Sequence, residues 1–163
     1  YFGCEPRDKM KLLEKIARLD NIKALAFIND IGEISVMNEK LNFKELSVKV
    51  LHSEINKMER QSALTAFRDG KVKLLIATDV AARGLDIKGV THVVHFDFPQ
   101  DIKQYVHRSG RTGRFGADGT VISLVTDREE RELKVFARAL NITVQRKIFY
   151  MGKISEGKNA KKY

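Results

Sequence analysis

Two segments of this chain concentrate side chains that can act on phosphates and sugars. The first, Thr78-Asp79-Val80-Ala81-Ala82-Arg83-Gly84-Leu85-Asp86-Ile87, gathers a hydroxyl, two carboxylates and a guanidinium around a glycine. An ionised carboxylate only accepts hydrogen bonds, so Asp suits a sugar hydroxyl or a neighbouring Arg rather than a phosphate. A plainer reading stands beside this one, in which Asp79 caps a short helix and Arg83 pairs with an Asp. The second segment, His107-Arg108-Ser109-Gly110-Arg111-Thr112-Gly113-Arg114-Phe115-Gly116, spaces three Arg and three Gly by three with no acid among them. Its guanidiniums repel one another unless an outside anion joins them. Gly allows close backbone approach to a phosphate, and the Arg fork binds its oxygens bidentately. The alternative is a solvated basic loop with general affinity for RNA. His92 and His95 have no Cys or third His nearby and read as part of a core strand rather than a metal site. Phe96 and Phe98 read as packing residues.

Both segments need elements to hold them. Short apolar runs at Ala24–Ile28, Val48–Leu51, Leu74–Ala77, Val93–Phe96 and Val121–Val125 have the length of buried strands. Between them, Met10–Leu19, Ile31–Leu41, Lys57–Phe67 and Arg128–Leu140 place apolar residues on one helical stripe each. Asn56 with Glu59, and Asp127 with Glu130, have capping-box spacing and mark helix starts. Alternating strands and helices, with strands apolar on both faces, predict an α/β fold: a doubly wound, mostly parallel sheet with helices on both faces. Ligands of such sheets collect beyond the carboxyl ends of the strands, and the first segment follows the run ending at Ala77. The second is expected as a loop.

The 163 residues fit one domain, expected over residues 1–150, with a basic and disordered tail over 151–163. With 43% apolar and 31% charged residues, disordered and collagenous classes are excluded. The net charge is +9, and its position matters more than its size. Residues 103–116 carry +4 and residues 146–163 carry +5, while the remainder balances at 20 charges of each sign. That layout points to a polyanionic partner. Cys4 is the single cysteine, so no intrachain disulfide forms and a reducing, cytoplasmic setting is expected. Apolar runs are far shorter than the ~20 residues of a bilayer span, so no membrane role is expected. The start at Tyr1, without Met, reads as a cut from a longer polypeptide.

Residues 76–86, Ile-Ala-Thr-Asp-Val-Ala-Ala-Arg-Gly-Leu-Asp, resemble motif V of DEAD-box RNA helicases of superfamily 2, and His107–Arg114 resembles their motif VI. Ala24–Ile28 is similar to motif IV, and Leu51-His52-Ser53 with Arg60 to the segment ending in Gln-x-x-Arg. The resemblance covers roughly residues 5–150 and implies the second, C-terminal RecA-like domain of such an enzyme. Gly-Lys occurs three times, followed by Val72, Ile154 and Asn159, so this chain has no Walker A signature, and no Asp-Glu-Ala-Asp run either. The parts that cradle ATP phosphates and hold Mg²⁺ are therefore expected on an N-terminal RecA-like domain of the same polypeptide, and this chain alone is expected to be inactive.

By resemblance, Arg111 and Arg114 are arginine fingers at the γ-phosphate, and Gly84 and Asp86 border the nucleotide, Asp86 at the ribose. Arg83 and His107 couple the two domains, while Arg60, Thr78 and Arg108 face RNA through its sugar-phosphate backbone. No metal ligand is expected in this chain. Two positions depart from the family pattern: Lys57 stands where Gln is usual, and Asp30 where motif IV often ends in Thr. We expect Asp30 to cap the following helix. Two rival readings remain at this point, a stand-alone RNA-binding or regulatory module and a domain of a related DNA-acting superfamily 2 motor.

Overall fold

The computed structural model describes residues 1–113 and 118–156. Strands β2 (Ala24–Phe27), β3 (Val48–Leu51), β4 (Leu74–Ala77), β5 (His92–His95) and β6 (Thr120–Val125) form within a residue or so of the apolar runs. A further strand, β1 (Phe2–Gly3), is too short to announce itself by periodicity. The six strands pair in parallel in the order β1-β6-β5-β2-β4-β3. β2 and β4 are buried along their whole length, which explains why they are apolar on both sides.

Successive residues of a strand serve opposite faces. Ala26, Ile76 and Val94 pack with Leu13 and Ile16 of α1 (Lys9–Ala17) and with Ile34, Met37 and Leu41 of α2 (Ile31–Phe43). Leu25, Leu75 and Val93 face the other way, onto Ala63 and Phe67 of α3 (Lys57–Arg68). Leu133 of α6 (Asp127–Leu140) closes that second layer with Val125, Phe98 and Tyr105. Burial of a side chain such as Leu13 or Phe67 contributes roughly 1.5–3 kcal/mol, so each helix is held mainly by its stripe. The architecture is the doubly wound α/β sheet that the alternating pattern predicts, in the RecA-like form that the resemblance implies.

Caps define where the helices begin. Asp30 Oδ1 accepts from Gly32 N–H at 2.8 Å and Asn56 Oδ1 from Glu59 N–H at 2.8 Å, as expected. The box expected at Asp127 and Glu130 instead uses Thr126 and Glu129, one residue earlier. Glu129 Oε1 accepts from Thr126 N–H at 3.0 Å, and the Thr126 hydroxyl accepts from Glu129 N–H. A hydroxyl in an extended residue reaches the third amide of the helix, and Asp127 already lies inside the first turn.

Two expectations about irregular structure are corrected. The first three residues expected in the second loop, His107, Arg108 and Ser109, instead end helix α5 (Ile102–Ser109), capped by Asp101 Oδ1, which accepts from Gln104 N–H at 2.7 Å. Its buried residues are Tyr105 and Arg108, and a charged member hides the stripe from a hydrophobicity pattern. The tail does not start at 151. β7 (Ile148–Tyr150) and β8 (Lys153–Ser155) form an antiparallel hairpin, and Phe149 stacks on Phe2 at 5.0 Å, tying it to the core. Residues 157–163, with Lys158, Lys161 and Lys162, lie outside the described residues. Among the described residues, no helix is long and apolar enough to cross a membrane.

Candidate functional site

β2, β4 and β5 are neighbours, so the chain leaving each of them meets at one edge of the sheet. Asn29 follows β2, Thr78 and Asp79 follow β4, and Asp97 follows β5. Asn29 N–H donates to Asp97 Oδ2 at 2.7 Å, joining two of these exits. Thr78 caps the short helix α4 (Asp79–Ala82), its hydroxyl accepting from Ala81 N–H at 3.3 Å. The cap is Thr78, not Asp79, because Asp79 is committed elsewhere.

Asp79 is the counter-ion of Arg108. Its Oδ1 accepts from Arg108 Nε at 2.8 Å, and its Oδ2 accepts from Arg108 Nη2 at 2.8 Å and from Gln104 Nε2 at 2.9 Å. Arg108 also donates from Nη1 to the Asp97 carbonyl at 2.8 Å and from Nη2 to Asn29 Oδ1 at 2.6 Å. The guanidinium lies 5.3 Å from the Phe27 ring centre. Arg108 is 1% exposed, so the expected RNA contact at this position is corrected: the residue is an internal tie between the exits of β2, β4 and β5. A buried cation needs a partner and filled donors, and Asp79, Asn29 and Asp97 supply both.

Around that tie, the structure brings together most of the other expected residues. Arg83, Gly84, Asp86, His107 and Arg111 line one open cleft of about 1040 Å³, with Leu85 and Val106 between them. A neighbouring cleft of about 510 Å³ shares Arg83, His107 and Arg111 and adds Lys103 and Gln104. Gly84 has φ +73°, a left-handed backbone that Gly adopts without penalty, and nothing stands within 4 Å of where a Cβ would be. That turn sends Arg83 and Asp86 to the same cleft. Arg111 Nη1 donates to the Leu85 carbonyl at 2.8 Å, so the motif V and motif VI segments touch directly. The clefts are open on one side, which suits a surface completed by a second body.

Arg60 stands apart from this cleft, on α3, half-buried, with its Nε enclosed and without a hydrogen-bond partner among the described residues. Thr78 is 8% exposed, with its hydroxyl oxygen occupied as a cap. Arg114 lies outside the described residues. His95 is fully buried and Phe96 and Phe98 nearly so, all three as strand or packing residues. Among the described residues, no group of three or more His, Cys, Asp or Glu could hold a metal ion. Sequence reasoning missed Asn29, Asp97 and Gln104, which complete the cage of Arg108. The spacing of Asp101 and Gln104 was a usable signal, since a capping pair there announces α5 and turns Tyr105 and Arg108 inward.

The sheet and its cleft define a class, and comparison with known proteins agrees. The model of the helicase conserved C-terminal domain matches residues 8–116, and the chain belongs to that family. It is 45% identical over 158 residues to the DEAD-box ATP-dependent RNA helicase CshC of Bacillus cereus, covering 97% of this chain and 41% of that protein. It is 49% identical over 154 residues to the probable ATP-dependent RNA helicase YfmL of Bacillus subtilis, covering 94% of this chain and 41% of that one. Among solved structures, the E. coli DEAD-box protein SrmB superposes with a TM-score of 0.83 at 30% identity, over 91% of this chain and 88% of that one. Within the family, then, this is a RecA-like domain of the DEAD-box type, and it spans about two fifths of the length of the curated relatives it matches.

Proposed function

We propose that this chain is the second RecA-like domain of an ATP-dependent RNA helicase, closing over ATP that an N-terminal RecA-like domain of the same polypeptide holds with Mg²⁺. The observation that carries this reading is the open cleft where Arg83, Gly84, Asp86, His107 and Arg111 meet at the carboxyl edge of a parallel sheet, in a chain with no phosphate-cradling loop of its own. The donor set fits half of a nucleotide site. Arg111 offers a planar fork to phosphate oxygens, Asp86 accepts from sugar hydroxyls, and the missing Cβ of Gly84 leaves room beside them.

In this reading ATP supplies the phosphoryl group and the other domain its metal. What this chain adds is charge placed where negative charge develops. Arg111 and Arg114 stabilise the departing phosphoryl oxygens, a role typically worth 10³–10⁵ in turnover. Arg83 and His107, exposed beside Arg111, face the other domain and make closure depend on the nucleotide. Arg60 and Thr78 contribute to the RNA surface through the sugar-phosphate backbone, so no base readout is expected from them.

The test compares the isolated 163 residues with the two-domain protein. The isolated chain should turn over no ATP, and the two-domain protein should show RNA-stimulated hydrolysis. Arg111→Ala or Arg114→Ala in the latter should lower turnover by about 10³-fold while RNA affinity of the open, nucleotide-free protein changes little. Equal losses of RNA affinity and turnover would mean that the basic segment is an RNA clamp instead.

A further inference from the structure

Beneath α5 the sheet presents one row of residues at the same level: Ala77 on β4, Phe27 on β2, His95 on β5 and Ser123 on β6. The two buried residues of α5 stand on two of them. Arg108 lies over Phe27, and Tyr105 stacks on His95 with ring centres 4.8 Å apart and planes 14° from parallel. One turn beyond Tyr105, Ser109 Oγ lies 3.3 Å from His95 Nε2. Ser109 is the last residue of α5. Two residues on, Arg111 reaches the Leu85 carbonyl, and the Thr112 hydroxyl donates to the Val90 carbonyl at 2.6 Å.

His95 is 0% exposed, and its Nδ1 is enclosed with no hydrogen-bond partner among the described residues. Burial, and secondarily the Arg108 guanidinium, push its pKa down to about 3, so the ring is neutral and carries one N–H. Placing that hydrogen on Nε2 lets it donate to Ser109 and leaves Nδ1 as an unused acceptor. The other tautomer would bury an unpaired N–H, the rarer outcome in folded proteins. Arg108 fixes α5 to the strand exits, and the His95–Ser109 bond holds the neighbouring residue, the last of the helix, to β5.

We infer that His95 is a positioning residue for the nucleotide-facing arginine: through Ser109 it pins the last turn of α5 and thereby aims Arg111. The inference rests on the arginine-finger reading above, and it adds two residues that lie outside both clefts. A finger makes its contact chiefly as charge develops on the phosphoryl group, so a loosened finger lowers kcat and leaves KM for ATP nearly unchanged.

The experiment measures RNA-stimulated ATP turnover and thermal melting of the full-length protein. His95→Phe keeps the stack on Tyr105 and removes the hydrogen bond, and Ser109→Ala removes the partner. Each should lower kcat about tenfold, the worth of one such bond expressed as a rate, with KM for ATP within about twofold. Ser109 also hydrogen-bonds Tyr105, so the double variant should be no worse than Ser109→Ala alone, which already removes the His95 bond. His95→Gln, whose amide nitrogen reaches where Nε2 sits, should recover kcat to within about threefold of the parent. The inference is overturned if the single variants keep parental kcat, if their losses multiply in the double variant, or if KM rises as much as kcat falls. Arg111→Ala separates the two levels. Loss of turnover there with unaffected His95 variants removes the positioning role alone, whereas unchanged turnover in Arg111→Ala removes the finger reading itself.

Discussion

Arg108 and Arg111 are three residues apart in one motif and have opposite fates. The first is sealed under α5 against Asp79, and the second lines the open cleft. Truncating Arg108 to Ala strips the partner from a carboxylate whose side chain is still 26% exposed, so the loss should fall near the low end for a broken buried pair, about 3 kcal/mol. Urea unfolding of the isolated domain measures it, and a loss below about 1 kcal/mol would mean that water replaces the guanidinium without cost. His95 supplies a pH dependence. Its pKa drops from 6.5 to about 3 on folding, so between those values the unfolded chain binds the extra proton. Stability is therefore complete above pH 6.5 and falls as pH drops toward 3. Charged His95 would meet the Arg108 cation under the Tyr105 ring. His95→Phe should flatten this part of the stability profile, leaving the loss that belongs to carboxylates such as Glu14, which its hydrogen bond from Lys44 holds below the usual range. An unchanged acid slope would show that His95 does not resist protonation in the folded state.

At the scale of elements, the caps and turns expose local preferences that tertiary packing overrides. The β7–β8 hairpin turns through Met151 and Gly152, with φ +52° and +75°. Two successive positive φ values suit Asn-Gly, and Met is held there at a cost that Asn would largely avoid. Met151→Asn should therefore raise stability by about 0.5 kcal/mol, seen as a rise of about 1–2 °C in Tm, with no effect on the cleft. At the start of α6, Thr126→Ala removes half of a capping box and should cost about 1 kcal/mol. Asp127→Ala should cost less, since Asp127 does not cap. Equal losses would contradict the observed geometry. The helix α5 was hidden from periodicity because one of its two inward residues is an arginine. A stripe that alternates Tyr with a buried cation reads as polar sequence, and its C-terminal Arg and Gly residues deepen that impression. β1 escaped for another reason: two residues contain no period.

For the whole molecule, the order β1-β6-β5-β2-β4-β3 places the exits of β2, β4 and β5 side by side, so that Asn29, Asp79 and Asp97 meet at Arg108 and residues 83–111 line the cleft beside them. On the proposed reading that cleft is half of a nucleotide site, and the expected inactivity of the isolated domain follows from its lacking the other half. Steady-state ATP turnover by the 163 residues alone, above a heat-denatured control, would contradict that expectation.

The sequence by itself determined the chemistry available and the elements that carry it. Motif composition, the missing phosphate loop, five of six sheet strands and four helices were legible, because apolar period and residue type are local properties. Tertiary structure decided which charges face outward. Arg108 could have served RNA as well as any arginine in its segment: the Asp101–Gln104 spacing announces its helix, but no acid stands near it in sequence to serve as its counter-ion. Its partners Asn29 and Asp79 lie 79 and 29 positions away, and they reach it only after the sheet has set its strand order. The excess of positive charge in residues 103–116 thus divides in space. One cation is cancelled inside the fold, and Arg111 is left lining the cleft, because desolvating a guanidinium is tolerable only where the folded chain assembles its counter-ion.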